Sequence, residues 1–543
     1  MSTARVMYQL ACADFFERIR RFSFAVTLAV TVIVAYIFVP ADGASYTTLD
    51  IGGHRGVYNS AWIGAQVSML TSVFLVLIGF YLVRNAVGRD RTTRVGQIIA
   101  ATPVPKTVYT LGKWLSNCMV LGLIGGVVLI GAAVLQLIRG EDMVLRPLLL
   151  ITPFISLLLP AVAMVSAIAV LFECIPFLSG ALGNIIYFFL VPQMVASEMM
   201  GGPNILGVSY LTNDMQAACR LAYPDYVDAM SLGINFHGDR SLDLTTFVWN
   251  GMPVSVEFLQ SRAFWFFVAI GIALVAAIPF DRFDTSKSRS RSHRAARTPR
   301  LALLRRWFGG RGAWSATGAE AGLALGSPAG HVHLTPLAAG RSRGRFGGIL
   351  AANLRLALRS MPWWWHLGAL GLVICEIFIP MPGVQAFVLP GALIWPTLVW
   401  APLGNREIRH ATHQIIFSAT HPLRRQLFAA WLTGATFALA LVSGAGVRWM
   451  LSGDWQRVVA LSVGAAFIPS LALALGAWSR SSRLFEVIYL FWWYIGPLNA
   501  AAALDYAGTS PFGGTMGITT AYAIAAVLLL ILGFLGGRRQ LAS

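Results

Sequence analysis

Long apolar runs restrict this chain of 543 residues more than any other feature of its sequence. Hydrophobic residues make up 57% of the chain and charged residues only 12%, and the mean hydropathy is +0.67. Because soluble globular proteins carry about 25% charged residues, that class is excluded. Runs of about 17 to 25 apolar residues are long enough to cross a bilayer as helices. The sequence therefore predicts an all-α polytopic membrane protein.

Twelve such runs fall into two sets of six, separated by a polar segment. The predicted spans are 22–39, 61–83, 115–138, 148–172, 178–196, 264–280, 364–379, 388–400, 427–447, 458–478, 485–503 and 519–535. We interpret 1–280 and 346–543 as two six-span halves. The segment 281–345 between them carries thirteen Lys or Arg against three Asp or Glu. We expect it to be a flexible cytoplasmic linker that rests on anionic membrane lipid, and we expect no nucleic-acid partner, since aromatic residues are not interleaved with its charges.

One polar segment occurs twice. The paired residues, at a constant offset of 317, are Arg89/Arg406, Asp90/Glu407, Gln97/Gln414, Pro105/Pro422 and Trp114/Trp431. A repeat without gaps predicts two related halves, each built around the same segment. Within it, 95–101 and 411–419 have the composition of short helices, the first ended by Thr102-Pro103 and the second closed by Pro422.

The charges orient the predicted spans. With the N-terminus in the cytoplasm, 33 of the 41 Lys and Arg, but only 9 of the 23 Asp and Glu, lie on the inner side. This distribution follows the positive-inside rule. We therefore expect a multi-pass protein of the plasma membrane, the inner membrane in a bacterium. Both termini and both copies of the repeated segment would be cytoplasmic.

Each predicted half begins with an amphipathic segment. Phe15 and Ile19 lie on one face of a helix before the first span, and Leu350 and Leu354 lie on one face before the seventh. Charged residues, among them Arg18, are predicted to face elsewhere. The pattern indicates an interfacial helix that enters the membrane through a bend. Such a helix either anchors the chain or grips a cytoplasmic partner, and the sequence leaves both alternatives open.

The repeated segment resembles the cytoplasmic loop of type-2 ATP-binding-cassette (ABC) transporter permeases. The residues that carry the likeness are Gly88-Arg89-Asp90-Arg91-Thr92, Gly96-Gln97-Ile98-Ile99-Ala100-Ala101-Thr102-Pro103 and Tyr109-Thr110-Leu111-Gly112-Lys113-Trp114. In that family each half has an elbow helix, a coupling helix between its second and third spans, and a larger extracytoplasmic loop before its sixth. The first half matches, with 197–262 as the loop. The second half departs, with a short external loop and Thr420-His421 in place of Pro103-Val104.

The resemblance implies a fused two-half permease subunit of an exporter, driven by a separate cytoplasmic P-loop ATPase, in two copies, that binds ATP and Mg. The P-loop pattern is absent from this chain, and we expect it to bind no cofactor of its own. The residues expected to couple it to the ATPase are Arg89, Asp90, Gln97, Arg406, Glu407 and Gln414.

By the same resemblance, spans two, five, eight and eleven would line the translocation path. The candidates in spans five and eleven are Asn184, Tyr187, Gln193, Trp492, Trp493, Tyr494 and Asn499. Aromatic faces with a few polar groups suit an amphipathic cargo. Aromatic residues also serve in membrane helices as packing and interfacial residues alone, so this alternative stays open.

An ion-coupled secondary transporter is the alternative, because two six-span halves also describe that class. Such carriers place ionisable residues inside their spans. Here Glu173, Glu376 and Glu486 lie at the ends of predicted spans. We predict no catalytic residue and no metal site, because the sequence has no metal-ligand spacing and no nucleophile beside a base. It does not identify the cargo.

Overall fold

The protein is mostly helical in the computed structural model. The structure describes residues 3–41, 44, 46–225, 229–236, 245–283, 345–410, 412, 422–499, 501–509 and 515–542. Helices account for 76% of it. Within the described residues, seven helices are long and apolar enough to cross a membrane, or ten if each of three bent helix pairs forms one span. The chain is therefore a helical membrane protein of several spans, and the count of twelve stays a prediction.

The first part of the chain contains eleven helices in the described residues. They are α1 (Thr3–Ile19), α2 (Phe22–Phe38), α3 (Ser60–Phe74), α4 (Phe80–Val83), α5 (Ala86–Thr92), α6 (Val95–Ala101), α7 (Lys106–Arg139), α8 (Pro147–Cys174), α9 (Ala181–Met199), α10 (Val208–Ala222) and α11 (Val256–Val275). A π-helical turn, Leu75–Gly79, joins α3 to α4. Helix α3 begins where the side chain of Asn59 accepts a hydrogen bond from the Trp62 amide, which satisfies an otherwise free N–H group.

The second part is more interrupted. Its helices are α12 (Arg345–Ser360), α13 (Trp363–Phe378), α14 (Met381–Gly383), α15 (Leu389–Ile394), α16 (Thr397–Trp400), α17 (Arg406–Arg409), α18 (Pro422–Leu441), α19 (Ser443–Leu451), α20 (Trp455–Ser479), α21 (Arg483–Trp493) and α22 (Met516–Ala542). Two π-helical turns, Val384–Val388 and Tyr494–Leu498, and a 3-10 turn, Ala502–Leu504, complete it. In the described residues α18 starts at Pro422, a position that suits proline because it needs no N–H partner in a first helical turn.

A small sheet departs from the all-α prediction. It contains β1 (Tyr46–Ile51), β2 (His54–Gly56), β3 (Met230–Phe236) and β4 (Thr245–Phe247) in the order β3-β1-β2-β4. β1 pairs antiparallel with β2 and β3, and β2 pairs parallel with β4. Gly52 and Gly53 form the turn between β1 and β2, with φ values of 58° and 84° that glycine adopts at little cost in energy. The strands are too short to give a clear alternating pattern.

The two amphipathic helices precede sharp bends. The chain turns by 79° between α1 and α2 and by 103° between α12 and α13. The bends agree with the predicted elbows, whose position at the membrane interface stays a prediction. The face of α1 that packs against the protein is not the apolar stripe of Phe15 and Ile19. Its buried residues are Ala11, Asp14 and Arg18, whereas Phe15 is only partly buried. Ion pairs across to α7, described below, explain why charged side chains face inward.

Buried apolar side chains form two clusters. One extends from Ala35 to Phe280, and the other from Ala357 to Ala526 with the addition of Phe188 from α9. Helices α9 and α21, which correspond to predicted spans five and eleven, are not among the candidate membrane-crossing helices. They meet where the two clusters touch, and the ring of Phe188 lies 5.7 Å from that of Tyr494.

Candidate functional site

One carboxylate holds the start of the first copy of the repeated segment. Glu173, near the end of α8, accepts hydrogen bonds from four successive backbone N–H groups, those of residues 85–88. The distances from Ala86 and Val87 are 3.0 and 2.7 Å. N–H groups at the start of a helix have no partner within it, and a carboxylate there also interacts favourably with the helix dipole. Glu173 therefore fixes α5 to the end of α8.

A buried ion cluster joins the elbow helix to the repeated segment. Asp14 of α1 lies against α5 and α7, and its side chain is 4% exposed. Its partners are Arg18 at 2.9 Å, Arg89, Lys113 at 2.9 Å and the Ser116 hydroxyl at 2.6 Å. Burial by itself raises the pKa of Asp14, but the positive charges of Arg18, Lys113 and Arg89 outweigh burial and hold that pKa well below its usual range.

Lys113 extends this cluster to the second acid. Its Nζ atom lies 2.9 Å from Asp90 as well as from Asp14, and its side chain is 3% exposed. Asp90 also accepts a hydrogen bond of 2.7 Å from the Tyr109 hydroxyl. We call Asp14, Arg18, Arg89, Asp90 and Lys113 the Asp14 cluster. Since an unpaired buried charge is costly, these residues constrain one another and hold α1, α5 and α7 together.

The starts of α6 and α7 pack against the chain that follows α11. The ring of Tyr109 stacks on that of Phe280 with centroids 4.8 Å apart, and Lys106 Nζ donates to the Phe280 carbonyl at 2.6 Å. A Cβ atom at Gly96 would lie 2.6 Å from the ring of Phe283, so the close approach requires glycine. Arg91 and Asp281 form an ion pair of 2.9 Å at the surface.

The outer side of α6 carries exposed apolar residues. The bounds of α6, Val95–Ala101, agree with the short helix predicted for 95–101, which is confirmed. Ile98 is 68% exposed and Val95 is 42% exposed, and Gln97 and Arg94 are exposed beside them. We call Arg94, Val95, Gln97 and Ile98 the α6 ridge. It presents an apolar centre with a polar and basic margin.

The predicted coupling residues divide into buried and exposed groups. In the first copy, Arg89 and Asp90 are buried in the Asp14 cluster, and Gln97 lies on the α6 ridge. In the second copy, Glu407 is buried and Arg406 is half-buried. Gln414 lies outside the described residues, as does nearly all of the predicted helix 411–419.

The two copies repeat two contacts at equivalent positions. Arg89 contacts Asp14 on the first amphipathic helix, and Arg406 Nη1 lies 3.4 Å from Asn353 Oδ1 on the second. The acid accepts a hydrogen bond from Tyr109 in the first copy, and in the second Gln426 donates to Glu407 at 3.1 Å. Positions 109 and 426 are separated by the repeat offset of 317. The offset could have identified this pair, but Tyr and Gln do not resemble each other.

The predicted path residues do not share one environment. Asn184 donates to Glu486 of α21, and both are buried where the two apolar clusters meet. Tyr187 is fully buried and donates to the Val76 carbonyl at 2.5 Å. Trp493 is buried and donates to the Pro390 carbonyl at 2.7 Å, and Trp492 donates to the Tyr522 hydroxyl at 3.1 Å. Tyr494 packs against Phe188, whereas Gln193 and Asn499 are exposed.

A cavity of about 540 Å³ lies beside the sheet, between the end of α9, α10 and β3. Its lining combines apolar residues with Glu198, Asn204, Asn213 and Gln216. Glu198 accepts backbone hydrogen bonds from the loop before α10 and from its first turn, at 2.8 and 3.1 Å. Sequence reasoning placed a long loop at 197–262 but found no site in it, because the lining comes from three separate elements.

The described residues contain no group of three or more His, Cys, Asp or Glu side chains placed to hold a metal ion. The five cysteines are unpaired. Comparisons of the chain with protein-family models, with curated proteins and with solved structures give no match in any of the three. A functional assignment therefore depends on the residues and contacts described above.

Proposed function

We propose that the chain is the membrane-spanning permease subunit of a type-2 ABC exporter, with twelve spans in two six-span halves. Its termini and both copies of the repeated segment would be cytoplasmic, in a bacterial inner membrane. A separate P-loop ATPase, in two copies, would bind ATP and Mg and drive alternating access. The observation that carries the proposal is the α6 ridge, an exposed apolar surface on a firmly held short helix.

The composition of the α6 ridge favours a protein partner. An apolar centre surrounded by polar residues is typical of a protein–protein interface. Ile98, at 68% exposure, forms that centre, and Arg94 adds a positive charge at the margin. A solvated connector would have no need of exposed isoleucine and valine on a helix of seven residues.

The contacts behind the ridge would transmit its displacement. Glu173 fixes α5 to α8, and the Asp14 cluster fixes α5 to α1 and α7. A force on α6 would therefore move the elbow helix and two long helices together. In this proposal Arg89 and Asp90 position the coupling helix, whereas the exposed ridge residues, Gln97 among them, touch the ATPase.

In this proposal, the contact between α9 and α21 represents the closed state of the translocation path. Asn184 bonds to Glu486, and Phe188 packs on Tyr494. Alternating access would require these two helices to separate, which would expose the predicted path residues to a cargo. The mixed aromatic and polar character of the two helices fits an amphipathic cargo.

The test uses Ile98→Asp. This change places a charge at the centre of the proposed interface without removing a buried contact, so stability should change by no more than about 0.5 kcal/mol. Met143→Asp is the matched control, because Met143 is 65% exposed in the loop between α7 and α8, at the other end of α7. The normal chain and both variants are purified from the native host in mild detergent after crosslinking, and the proteins recovered are identified by mass spectrometry.

We expect a P-loop ATPase with the normal chain and with Met143→Asp, and its loss with Ile98→Asp. If no ATPase is recovered with any of them, the permease proposal fails. If the ATPase is recovered equally with all three, the α6 ridge is not the docking surface.

Ion-coupled transport is the second candidate, and one observation favours it. Glu376 and Glu486 are at most 3% exposed, although both lie within a few residues of a helix end. Buried acids are typical of proton-coupled carriers. Transport by proteoliposomes that depends on a proton gradient, without an ATPase, would support this candidate against the first.

A further inference from the structure

A second cavity, of about 290 Å³, lies where α2 and α7 pass α4 and the start of α21. Five arginines are among its lining residues: Arg18, Arg21, Arg84, Arg89 and Arg483. This cavity has no role in the transport proposal. So many guanidinium groups around one small space would repel one another unless acids or a bound anion offset them.

Acids within the protein offset three of these arginines. Arg18 and Arg89 pair with Asp14, and Arg21 pairs with Glu17 at 2.5 Å. Two further carboxylates, those of Glu173 and Glu486, attract Arg84 and Arg483 electrostatically, but the hydrogen bonds of these acids among the described residues go to neutral donors. Glu173 accepts the N–H groups of α5, and Glu486 accepts from Asn184.

The other two arginines bond to backbone carbonyl groups. Arg84 is 5% exposed, and its Nη2 donates to the carbonyls of Leu178 and Gly180, the latter at 2.8 Å. Its Nη1 is buried and has no hydrogen-bond partner among the described residues. Arg483 Nη1 donates to the Arg84 carbonyl at 2.9 Å. A buried N–H group gains stability from an acceptor, so Arg84 Nη1 could donate to an anion bound in this cavity.

The remaining walls of the cavity are mixed, with Thr27, Tyr81 and Asn85 beside four apolar residues. Phe24 lies in the first turn of α2, Leu82 is near the end of α4, and Val120 and Ile124 lie on α7. The cavity thus lies at the start of α2 and the end of α4, beside the middle of α7. In the predicted orientation, the start of α2 and the end of α4 are at the cytoplasmic level, where a bilayer would pass from its hydrocarbon to its headgroups. Beyond it, α2 presents exposed apolar residues such as Val30 and Ile33.

From this arrangement we propose that the cavity binds the phosphate of an anionic phospholipid, with Arg84 and Arg483 as its principal ligands. Arginine donors suit phosphate oxygens, because the guanidinium group presents paired N–H groups and is always charged. The acyl chains would lie along the exposed face of α2. Since Arg84 belongs to the first part of the chain and Arg483 to the second, the lipid would bridge them. The inference needs only a bilayer and does not rest on the transport proposal.

Binding is measured on the full chain in neutral detergent. Dihexanoyl phosphatidylglycerol, dihexanoyl phosphatidylcholine and inorganic phosphate are each titrated while the midpoint of thermal unfolding is followed by tryptophan fluorescence. The test variant is Arg84→Gln with Arg483→Gln. The control is Arg20→Gln, which removes one charge, as Arg483→Gln alone does, from an exposed residue next to Arg21 that does not line the cavity.

We expect phosphatidylglycerol to raise the midpoint at lower concentration than phosphatidylcholine, and the double variant to need at least about tenfold more of it, since bonds to charged groups are lost. Arg20→Gln should match the normal chain. An unchanged phosphatidylglycerol response in the double variant would overturn the site. An equal response to inorganic phosphate would overturn the lipid assignment in favour of a free anion.

A single variant covers the case in which the double variant does not fold. Arg483→Gln removes one side-chain bond to a backbone carbonyl and leaves the bonds of Arg84 in place. It should weaken the phosphatidylglycerol response in the same direction by a smaller factor. Equal responses from Arg483→Gln and the normal chain would then count against the proposal.

Discussion

The two copies of the repeated segment make similar contacts with different chemistry. In the first copy, Arg89 meets a carboxylate, Asp14, and in the second, Arg406 meets an amide, Asn353. Lys113 bridges two acids in the first copy, and the position 317 residues later is Ala430, buried and apolar. At equivalent positions, charged groups thus meet opposite charges in the first copy and neutral amide side chains in the second.

This difference teaches that the geometry of the repeat does not require both partners of a contact to be charged. A hydrogen bond between a charged group and an amide gives a contact of modest strength, whereas buried ion pairs impose a large penalty on any change that separates them. We expect the helices that contact the first copy to move as one rigid unit, and those that contact the second copy to shift more easily relative to one another. The following predictions test that comparison.

The largest effect should come from removing the central acid. Asp14→Ala leaves Arg18, Arg89 and Lys113 buried without their shared partner, and we expect it to lower the free energy of unfolding by about 3 to 5 kcal/mol. Asn353→Ala, the matched change in the second copy, should cost about 1 kcal/mol. Unfolding by SDS in mixed micelles measures both. Equal losses would show that the charges of the first copy add no constraint.

The next effect concerns the start of α5. Glu173→Gln removes the charged acceptor of its N–H groups, so amide hydrogen exchange at residues 86–88 should become about thirtyfold faster, equivalent to about 2 kcal/mol. The control is Glu141→Gln, which breaks contacts with Arg55 and Tyr58 beside the sheet and should leave this exchange unchanged. If Glu141→Gln has the same effect as Glu173→Gln, the anchoring of α5 is not local.

A pair of double-mutant cycles measures the coupling within each copy. Asp90→Asn with Lys113→Met should give an interaction energy of about 1 to 2 kcal/mol, because the groups form a buried ion pair of 2.9 Å. Glu407→Gln with Gln426→Met should give less than about 1 kcal/mol. The four stabilities of each cycle come from the same SDS titration. A larger coupling in the second copy would reverse the comparison.

The smallest effect is a dependence on pH. Because the pKa of Asp14 is lowered in the folded protein, its contribution to stability is present above its unfolded pKa of about 4 and is lost as pH falls through the lower folded value. The free energy of unfolding should therefore decline below about pH 4, and Asp14→Asn should flatten that decline. Asn353 does not titrate, so Asn353→Ala should leave the slope unchanged. Identical slopes for all three proteins would contradict the role of Asp14.

Much of the local structure could be predicted. The bounds of α6 agree with the sequence, because Thr102-Pro103 and Pro105 stop a short helix. Helix α1 was predicted, but its buried face was not, since amphipathic reasoning assigns Arg18 to water while ion pairing places it inside. The sheet was missed because β2 and β4 have three residues each, and because the pairings of β2 with β4 and of β1 with β3 join residues far apart in sequence.

The sequence by itself determined the membrane class, because apolar runs of bilayer length leave few soluble alternatives. It also determined the repeated segment and the helix at its tip, since spacing and proline positions are local properties. Only the tertiary structure decided which charges are buried and paired. Asp14 and Lys113 are 99 residues apart, and no local pattern predicts that they meet. Burial makes this contact a constraint on the fold, because a charged side chain that has been removed from water is stable only beside an opposite charge.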